Sequence, residues 1–285
     1  VYIVYDYEII FHNHKASKKD YYQVEEDNSF LLDDSYILYL NNNQYREVSI
    51  TSDESFINLQ INQNIYFHIK DVITFYVKLK TNKIYFKFHK NGNEELLKYW
   101  LFHTFLPILF TLENKYYFIH AGAIEIEGSP ILFIANSFGG KSTLTDFFIK
   151  KNHTMISDDK VGTFMKDNQI FGVPSYPYHR PYRKVEDLGI FTENFSKQSK
   201  EISKIYNLVK SHKDEKISIS EISGIKKFMA LRYATDVDLQ VNKETRFTML
   251  SNIANKVKVY DITLPWDLDR LEEVYQTIIE HNKKG

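Results

Sequence analysis

Ile131-Leu-Phe-Ile-Ala-Asn-Ser-Phe-Gly-Gly-Lys-Ser142-Thr143 is an apolar run that ends in two glycines, a lysine and a serine. A helical pattern (Leu144, Phe147, Phe148) follows directly. Strand, short loop and helix in that order are the context a phosphate-binding P-loop requires. The backbone N–H groups of such a loop and the N-terminus of the helix converge on one place, where negative charge is stabilised. On this reading Asn136, Ser137, Phe138, Gly139, Gly140, Lys141, Ser142 and Thr143 cradle the phosphates of a nucleotide. Lys141 adds positive charge against the β- and γ-phosphates, and Ser142 a hydroxyl ligand for Mg²⁺. The run departs from G-x-x-x-x-G-K-[ST] in one defining position, where Ala135 replaces the first glycine; alanine is tolerated there only if φ stays negative. Phe138 stands where many such loops carry glycine, so its ring must point away from the phosphates, to stack on a base or cover the site.

The rest of the chain is of globular composition. Its 285 residues are 43% hydrophobic and 26% charged, long enough for one large domain or two modest ones. The net charge of −1 excludes a whole-protein field that would draw the chain to nucleic acid or to an anionic membrane. There is no cysteine, hence no disulfide framework and no thiolate metal site, which fits a reducing cytoplasm. The N-terminus lacks the basic and uninterrupted apolar regions of a signal peptide. Leu96 to Leu112 is the most hydrophobic stretch, but Lys98, His103 and Pro107 interrupt it, and a membrane span needs about 20 apolar residues. A buried helix kinked at Pro107 is expected instead. The expectation is a soluble, cytoplasmic protein with neither nucleic acid nor membrane as partner.

Working outward from the P-loop, residues 1–92 read as a β-rich region and 93–285 as the domain that carries the loop. Ile73, Phe75, Val77 and Leu79 alternate with polar neighbours, as do Ile84, Phe86 and Phe88 beyond a Thr81-Asn82 turn, which predicts a hairpin. Val1 to Ile9 and Tyr36 to Leu40 are further candidate strands, and Asn41 to Gln44 a loop. His12 and His14 lack a third ligand nearby, so surface histidines are expected there. Glu94-Glu95 open a helix that ends near Asn114. Strands are expected at 116–120, 123–127 and 154–157, with a Gly128-Ser-Pro130 turn, and a hairpin from 161–164 and 170–173. Residues 184–210 read as helical or irregular, and 216–222 and 226–233 as strands. A helix over 243–256, a strand over 257–264 and a C-terminal helix presenting Leu268, Leu271, Tyr275 and Ile278 complete the pattern.

Asp158-Asp159 lies 17 residues beyond Lys141, after one helix and one strand. A parallel strand beside the P-loop strand would deliver the pair to the sheet edge where ligands bind in open α/β sheets. Two adjacent carboxylates can divide the work there. One takes the proton from an attacking hydroxyl, while the other holds Mg²⁺ directly or through water. Such a pair seen alone is more often the opening of a turn; its place downstream of a P-loop moves the balance towards chemistry. His120 ends an apolar strand before Ala121-Gly122-Ala123. A packed, hydrogen-bonded histidine is the plain reading, and a charged histidine that polarises a phosphate the functional one.

His120-Ala-Gly-Ala-Ile-Glu-Ile-Glu-Gly128, the P-loop, and Asn152-His153-Thr-Met-Ile-Ser-Asp158-Asp159-Lys-Val161 together resemble the kinase core of HPr kinase/phosphorylase. The resemblance covers about residues 116–165, and the joint order and spacing make it far more specific than a P-loop alone. It implies an α/β fold with a mixed sheet, a P-loop kinase core of the HPr kinase and phosphoenolpyruvate carboxykinase type. It implies Lys141 on the β- and γ-phosphates, Ser142 and Asp159 near Mg²⁺, Asp158 as the residue that activates an acceptor serine, and His120 beside the transferred phosphate. The family's glutamate before a Gly-Leu-Gly segment has no counterpart; Leu188-Gly189-Ile190 is a partial echo. Pro174-Ser-Tyr-Pro177-Tyr-His-Arg180-Pro resembles instead a segment of the HPr-kinase-like proteins found with peptide-modification clusters, some of which phosphorylate ribosomal peptide precursors. Of the six arginines, Arg180, Arg183, Arg232 and Arg246 are candidates for the positive charge a phosphoryl-transfer site recruits. The resemblance favours Arg180; the alternative is an arginine that anchors a loop.

The leading expectation is therefore an ATP-dependent, Mg²⁺-using kinase acting on a serine or other hydroxyl of a peptide or small protein. True HPr kinases are hexamers, so a homo-oligomer is a further expectation of the resemblance. A sugar or small-metabolite kinase is a close variant. A non-catalytic nucleotide-binding module and an NTP hydrolase are alternatives from other classes. Retention of Lys141, Ser142, Asp158 and Asp159 together argues for chemistry, and no plain Walker B strand or sensor residue supports the hydrolase.

Overall fold

The computed structural model describes every residue except His12, Asn13, Asn43, Gln44, Ser137, Arg183 and Gly285. The chain divides into two compact units. One holds Val1–Lys115, Val185–Leu188 and Val237–Lys243; the other holds Tyr116–Lys184, Gly189–Asp236 and Glu244–Gly285. The helical stretch after residue 93 groups with the β-rich part, so the division falls at Lys115 and not at residue 92.

The first unit is built on an eight-stranded sheet. Its first expected strand is in fact a hairpin, Tyr2–Val4 against Tyr7–Phe11, because Tyr5 and Asp6 both take positive φ (51° and 65°) and turn the chain back. The predicted hairpin pairs Ile73–Lys78 with Lys83–Phe88 in antiparallel register, Val77 opposite Ile84. Tyr36–Asn42 forms the edge strand, so Asn41 and Asn42 extend it where a loop was expected; Asn43 and Gln44 lie outside the described residues. The buried helix runs as Glu94–Trp100, a π-helical turn Leu101–Phe105, and Leu106–Leu112. Pro107 has no N–H to give, and just before it the Leu106 N–H reaches five residues back to the Leu101 carbonyl. Phe105 stacks on Phe75 with ring centroids 4.9 Å apart, fixing this helix on the sheet. Asn114 (φ 55°) then ends the helix, and the Lys115 N–H returns to the Phe110 carbonyl at 2.8 Å.

The second unit is a mixed α/β fold. Its six-stranded sheet has the order Met155–Ser157, Gly122–Ile126, Ser129–Ile134, Lys204–Ser211, Lys258–Pro265, Ile219–Ile222. The three strands from Ser129 to Pro265 are parallel and central; the others join antiparallel. Both faces of the centre are covered. The P-loop helix Lys141–Lys150 and the C-terminal helix Leu271–Lys283 place Leu144, Phe148, Val274 and Ile278 against Phe133, Tyr206 and Ile262. Leu231, Leu250 and Ile253 of two other helices cover Leu132, Ile134 and Ile205 on the opposite face. A four-stranded antiparallel sheet lies alongside, in the order Lys200–Glu201, Gln169–Val173, Lys160–Lys166, Tyr117–His120. No helix among the described residues is long and apolar enough to cross a membrane.

Two sequence expectations fail here for physical reasons. Within residues 184–210, expected as helical or irregular, the chain instead forms the strand Lys204–Ser211 at the centre of the sheet. Both its faces are buried, Ile205 on one and Tyr206 and Leu208 on the other, which erases the alternation that marks a half-exposed strand. Two of its polar residues are satisfied internally: Asn207 donates to Asp261 at 2.8 Å and Lys204 reaches the Asn282 carbonyl at 3.2 Å. Residues 226–233, expected as a strand, lie in helix Gly224–Tyr233. Phe228 and Leu231, three apart, share its core-facing side.

Candidate functional site

The P-loop strand leaves the sheet at Ile134. Within the loop the Gly139 N–H donates to the Asn136 carbonyl at 2.9 Å, and the Leu144 N–H donates to Gly140 at 2.9 Å to open the helix. A Cβ on Gly139 would stand 2.7 Å from the Ala135 Cβ and 2.8 Å from the Asn136 carbonyl oxygen, so only glycine fits that position. The left-handed φ values fall at Phe138 (60°) and Gly140 (89°) rather than at Ala135, which is how an alanine can begin this loop. Phe138 thus holds a backbone conformation that glycine would adopt without strain, and its side chain is 83% exposed. Lys141 is buried, with Nζ donating to the Ala135 carbonyl at 3.3 Å. Ser142 is half-buried and Thr143 exposed in the first helical turn; Ser137 lies outside the described residues.

The carboxylate pair reaches the same sheet edge by a different route from the one expected. Met155–Ser157 does not neighbour the P-loop strand; Gly122–Ile126 is inserted between them, antiparallel to both. Two antiparallel steps restore the direction, so Ser157 and Ile134 still end at one edge. Gly122 makes the insertion fit, since a Cβ there would meet the Thr145 Oγ of the P-loop helix at 2.0 Å.

His120, Asp158, Asp159 and Arg180 come together in one hydrogen-bonded cluster. The ladder between Tyr117–His120 and Lys160–Lys166 sets Lys160 opposite His120, which puts Asp159 beside the imidazole. His120 Nδ1 lies 3.2 Å from Asp159 Oδ1 and 3.1 Å from the Asp159 carbonyl oxygen. Arg180 approaches the other side of the same carboxylate, with a guanidinium nitrogen 3.5 Å from Asp159 Oδ2. Asp158 is buried and accepts the Arg180 backbone N–H at 2.7 Å. Burial raises its pKa above the ordinary carboxylate value, the Arg180 N–H pulls it back, and the neighbouring Asp159 charge raises it further. Of the other candidate arginines, Arg232 and Arg246 lie on helices Gly224–Tyr233 and Lys243–Lys256 instead, and Arg183 lies outside the described residues.

Two residues to which the sequence reading gave no role of their own, His179 and Gly189, support this cluster. His179 Nε2 lies 3.1 Å from Asp146 Oδ1, one turn beyond Ser142, so the residue next to Arg180 is held to the helix that carries the loop. Gly189 (φ 97°), within Leu188-Gly189-Ile190, packs against the backbone and side chain of the His179-Arg180 segment. A Cβ there would stand 2.2 Å from the His179 carbonyl oxygen and 2.6 Å from the Arg180 Cγ. Gly189→Ala is expected to cost about 1–3 kcal/mol by overpacking and to displace Arg180. Gly128 is the control, with φ 81° and open space around it. In thermal melts Gly189→Ala should lose clearly more stability than Gly128→Ala; equal losses would mean that the contact with Arg180 is unimportant.

No family model matches the sequence, and no curated protein does. Among solved structures, the chain is similar to the HPr(Ser) kinase/phosphatase from Coxiella burnetii, with 15% identity and a TM-score of 0.39. The likeness covers 59% of this chain and 97% of that one. At that level it says nothing of activity, substrate or partner.

A cavity of about 580 Å³ opens beside the loop, lined by Ala135, Asn136, Phe138, Asn207, Lys210 and Tyr233 among others. Among the described residues no group of three or more His, Asp or Glu side chains could hold a metal ion by itself. Asp159 and the Ser142 hydroxyl are hard oxygen donors, a set that fits Mg²⁺ as an ion bringing phosphate oxygens and waters with it. His120 and Arg180 already engage the two Asp159 oxygens, so a metal there would share that carboxylate with them.

Proposed function

We propose that this chain is a kinase that transfers the γ-phosphate of ATP, as substrate, to a hydroxyl group, with serine in a peptide or small protein as the acceptor. The observation that carries the reading is Asp158, a buried carboxyl of raised pKa at the sheet edge where the P-loop strand also ends. A general base works best with a pKa closer to the operating pH than an ordinary carboxylate has. Asp158 accepts the proton of the attacking hydroxyl as its oxygen closes on the γ-phosphorus and the bond to ADP breaks. Lys141 and the loop N–H groups hold the phosphates, and Arg180 adds positive charge beside Asp159. Mg²⁺ bound with the nucleotide would neutralise developing phosphate charge, held by Ser142 and Asp159. The peptide acceptor rests on the resemblance of Pro174–Pro181 to the peptide-modifying branch.

The test is incubation of the purified chain with Mg-ATP and serine-containing peptides, read by mass spectrometry. Phosphoserine that vanishes in Asp158→Asn supports the reading. ADP release without any phosphorylated acceptor, at the same rate with and without peptide, would make the chain a hydrolase instead.

A further inference from the structure

A second, smaller cavity of about 220 Å³ lies on the other side of the loop, lined by Gly140, Thr143, Leu264, Trp266, Asp267 and Leu271 among others. Sites that enclose whole small ligands run to roughly 300–1,000 Å³, so this one has room for part of a nucleotide. The sheet order decides which part. Met155–Ser157 with its carboxylates lies to one side of the P-loop strand, and Lys258–Pro265, which ends at this cavity, lies two strands away on the other. A polyphosphate that lies along the loop with its transferable end towards Asp158 has its opposite end on the side of Lys204–Ser211 and Lys258–Pro265, where both cavities open, the smaller one at Thr143 and Trp266.

The chemistry of the walls suits a flat ring. Trp266 is 47% exposed, its backbone N–H is fixed to the Ser211 carbonyl at 3.2 Å, and Lys210 Nζ stands 3.8 Å from its ring centroid. Lys210 lines the larger cavity and not this one, so the indole stands between the two. Leu264 and Leu271 supply apolar surface. Asp267, whose Oδ1 accepts the Asp269 N–H at 3.0 Å, brings a carboxylate, which meets ligand N–H groups and not ligand acceptors. Gly140 keeps the loop close, since a Cβ there would already stand 3.0 Å from Leu264 Cδ2.

We propose that this pocket receives the purine base of the nucleotide, stacked on Trp266 with its amino group towards Asp267. The proposal rests on the phosphate-binding reading of the loop, and it replaces Phe138 as the stacking residue. Calorimetric titration with Mg-ATP and with inorganic tripolyphosphate separates the two readings. Trp266→Ala should weaken ATP binding about tenfold, the scale of one base–aromatic stack, and leave tripolyphosphate binding unchanged. Trp266→Phe should recover most of the loss. A Trp100→Phe variant leaves Trp266 as the sole tryptophan; its emission should respond to ATP and not to tripolyphosphate. Unchanged ATP affinity in Trp266→Ala, or equal wild-type affinity for the two ligands, overturns the base pocket while the loop reading stands. Wild-type protein that binds neither ligand overturns both.

Discussion

Asp158→Asn should lower phosphoryl transfer by about 10²–10⁴-fold, the usual share of a positioned general base, while ATP binding persists. Asparagine keeps the shape and can still accept the Arg180 N–H, so the cluster should hold. In the wild type, stability and activity should respond oppositely to rising pH, because burial penalises the charged carboxylate in the folded state. The folded pKa is raised, so the native protein binds more protons than the unfolded chain across the interval between the ordinary and the raised value. Stability contributed by this group therefore falls as pH rises through that interval. The amide has nothing to ionise. Thermal melts should show the variant gaining on the wild type as pH rises from below the ordinary carboxylate range to neutrality. Activity runs the other way: the base must be ionised, so the acid limb of the wild-type rate profile should sit above the usual carboxylate range. A variant as fast as wild type removes Asp158 from the mechanism, and a stability difference that does not shift in the variant's favour as pH rises contradicts the sign of its burial cost.

Lys141→Met should weaken ATP and tripolyphosphate binding alike and lower turnover by about 10²–10³-fold, the scale of losing one preorganised charged donor. Methionine preserves the buried stem, so folding should survive. The Lys141 ammonium donates to the neutral Ala135 carbonyl, whereas a phosphate offers charge-assisted hydrogen bonds about twice as strong. Isothermal titration with both ligands checks this, and undiminished tripolyphosphate affinity would remove Lys141 from the phosphate site.

Much of the site region was legible in the sequence because its signals are local. The run from Ile131 to Phe148 carries its own strand, loop and helix, and the order of His120, Lys141 and Asp158-Asp159 needs no knowledge of tertiary contacts. What failed were features set by distant partners. Lys204–Ser211 is a strand because two neighbouring strands and two cores enclose it, and Lys204 and Asn207 find partners far along the chain. The helix at Gly224–Tyr233 hides its pattern because only Leu231 is fully buried. Asp146 and His179 are 33 residues apart and carry no local signature as a pair. The inserted strand Gly122–Ile126 is likewise a matter of sheet order, which periodicity does not encode.

That insertion has a consequence for where the chemistry can be disturbed. Gly122–Ile126 and Ser129–Ile134 are joined by two residues, Glu127 and Gly128, both at positive φ (53° and 81°). Such a tight primed turn admits one register, here Ile126 opposite Ser129 and Gly122 opposite Phe133. Slipping the pair by one residue would shift Gly122–Ile126 about 3.3 Å against the loop strand and invert every side chain of the slipped strand. The register of the strand that enters the loop, against the strand beside it, is therefore gauged at the far end of the hairpin by two residues outside the loop. Lengthening that turn by a single residue would detune the site while every proposed catalytic side chain remained in the sequence.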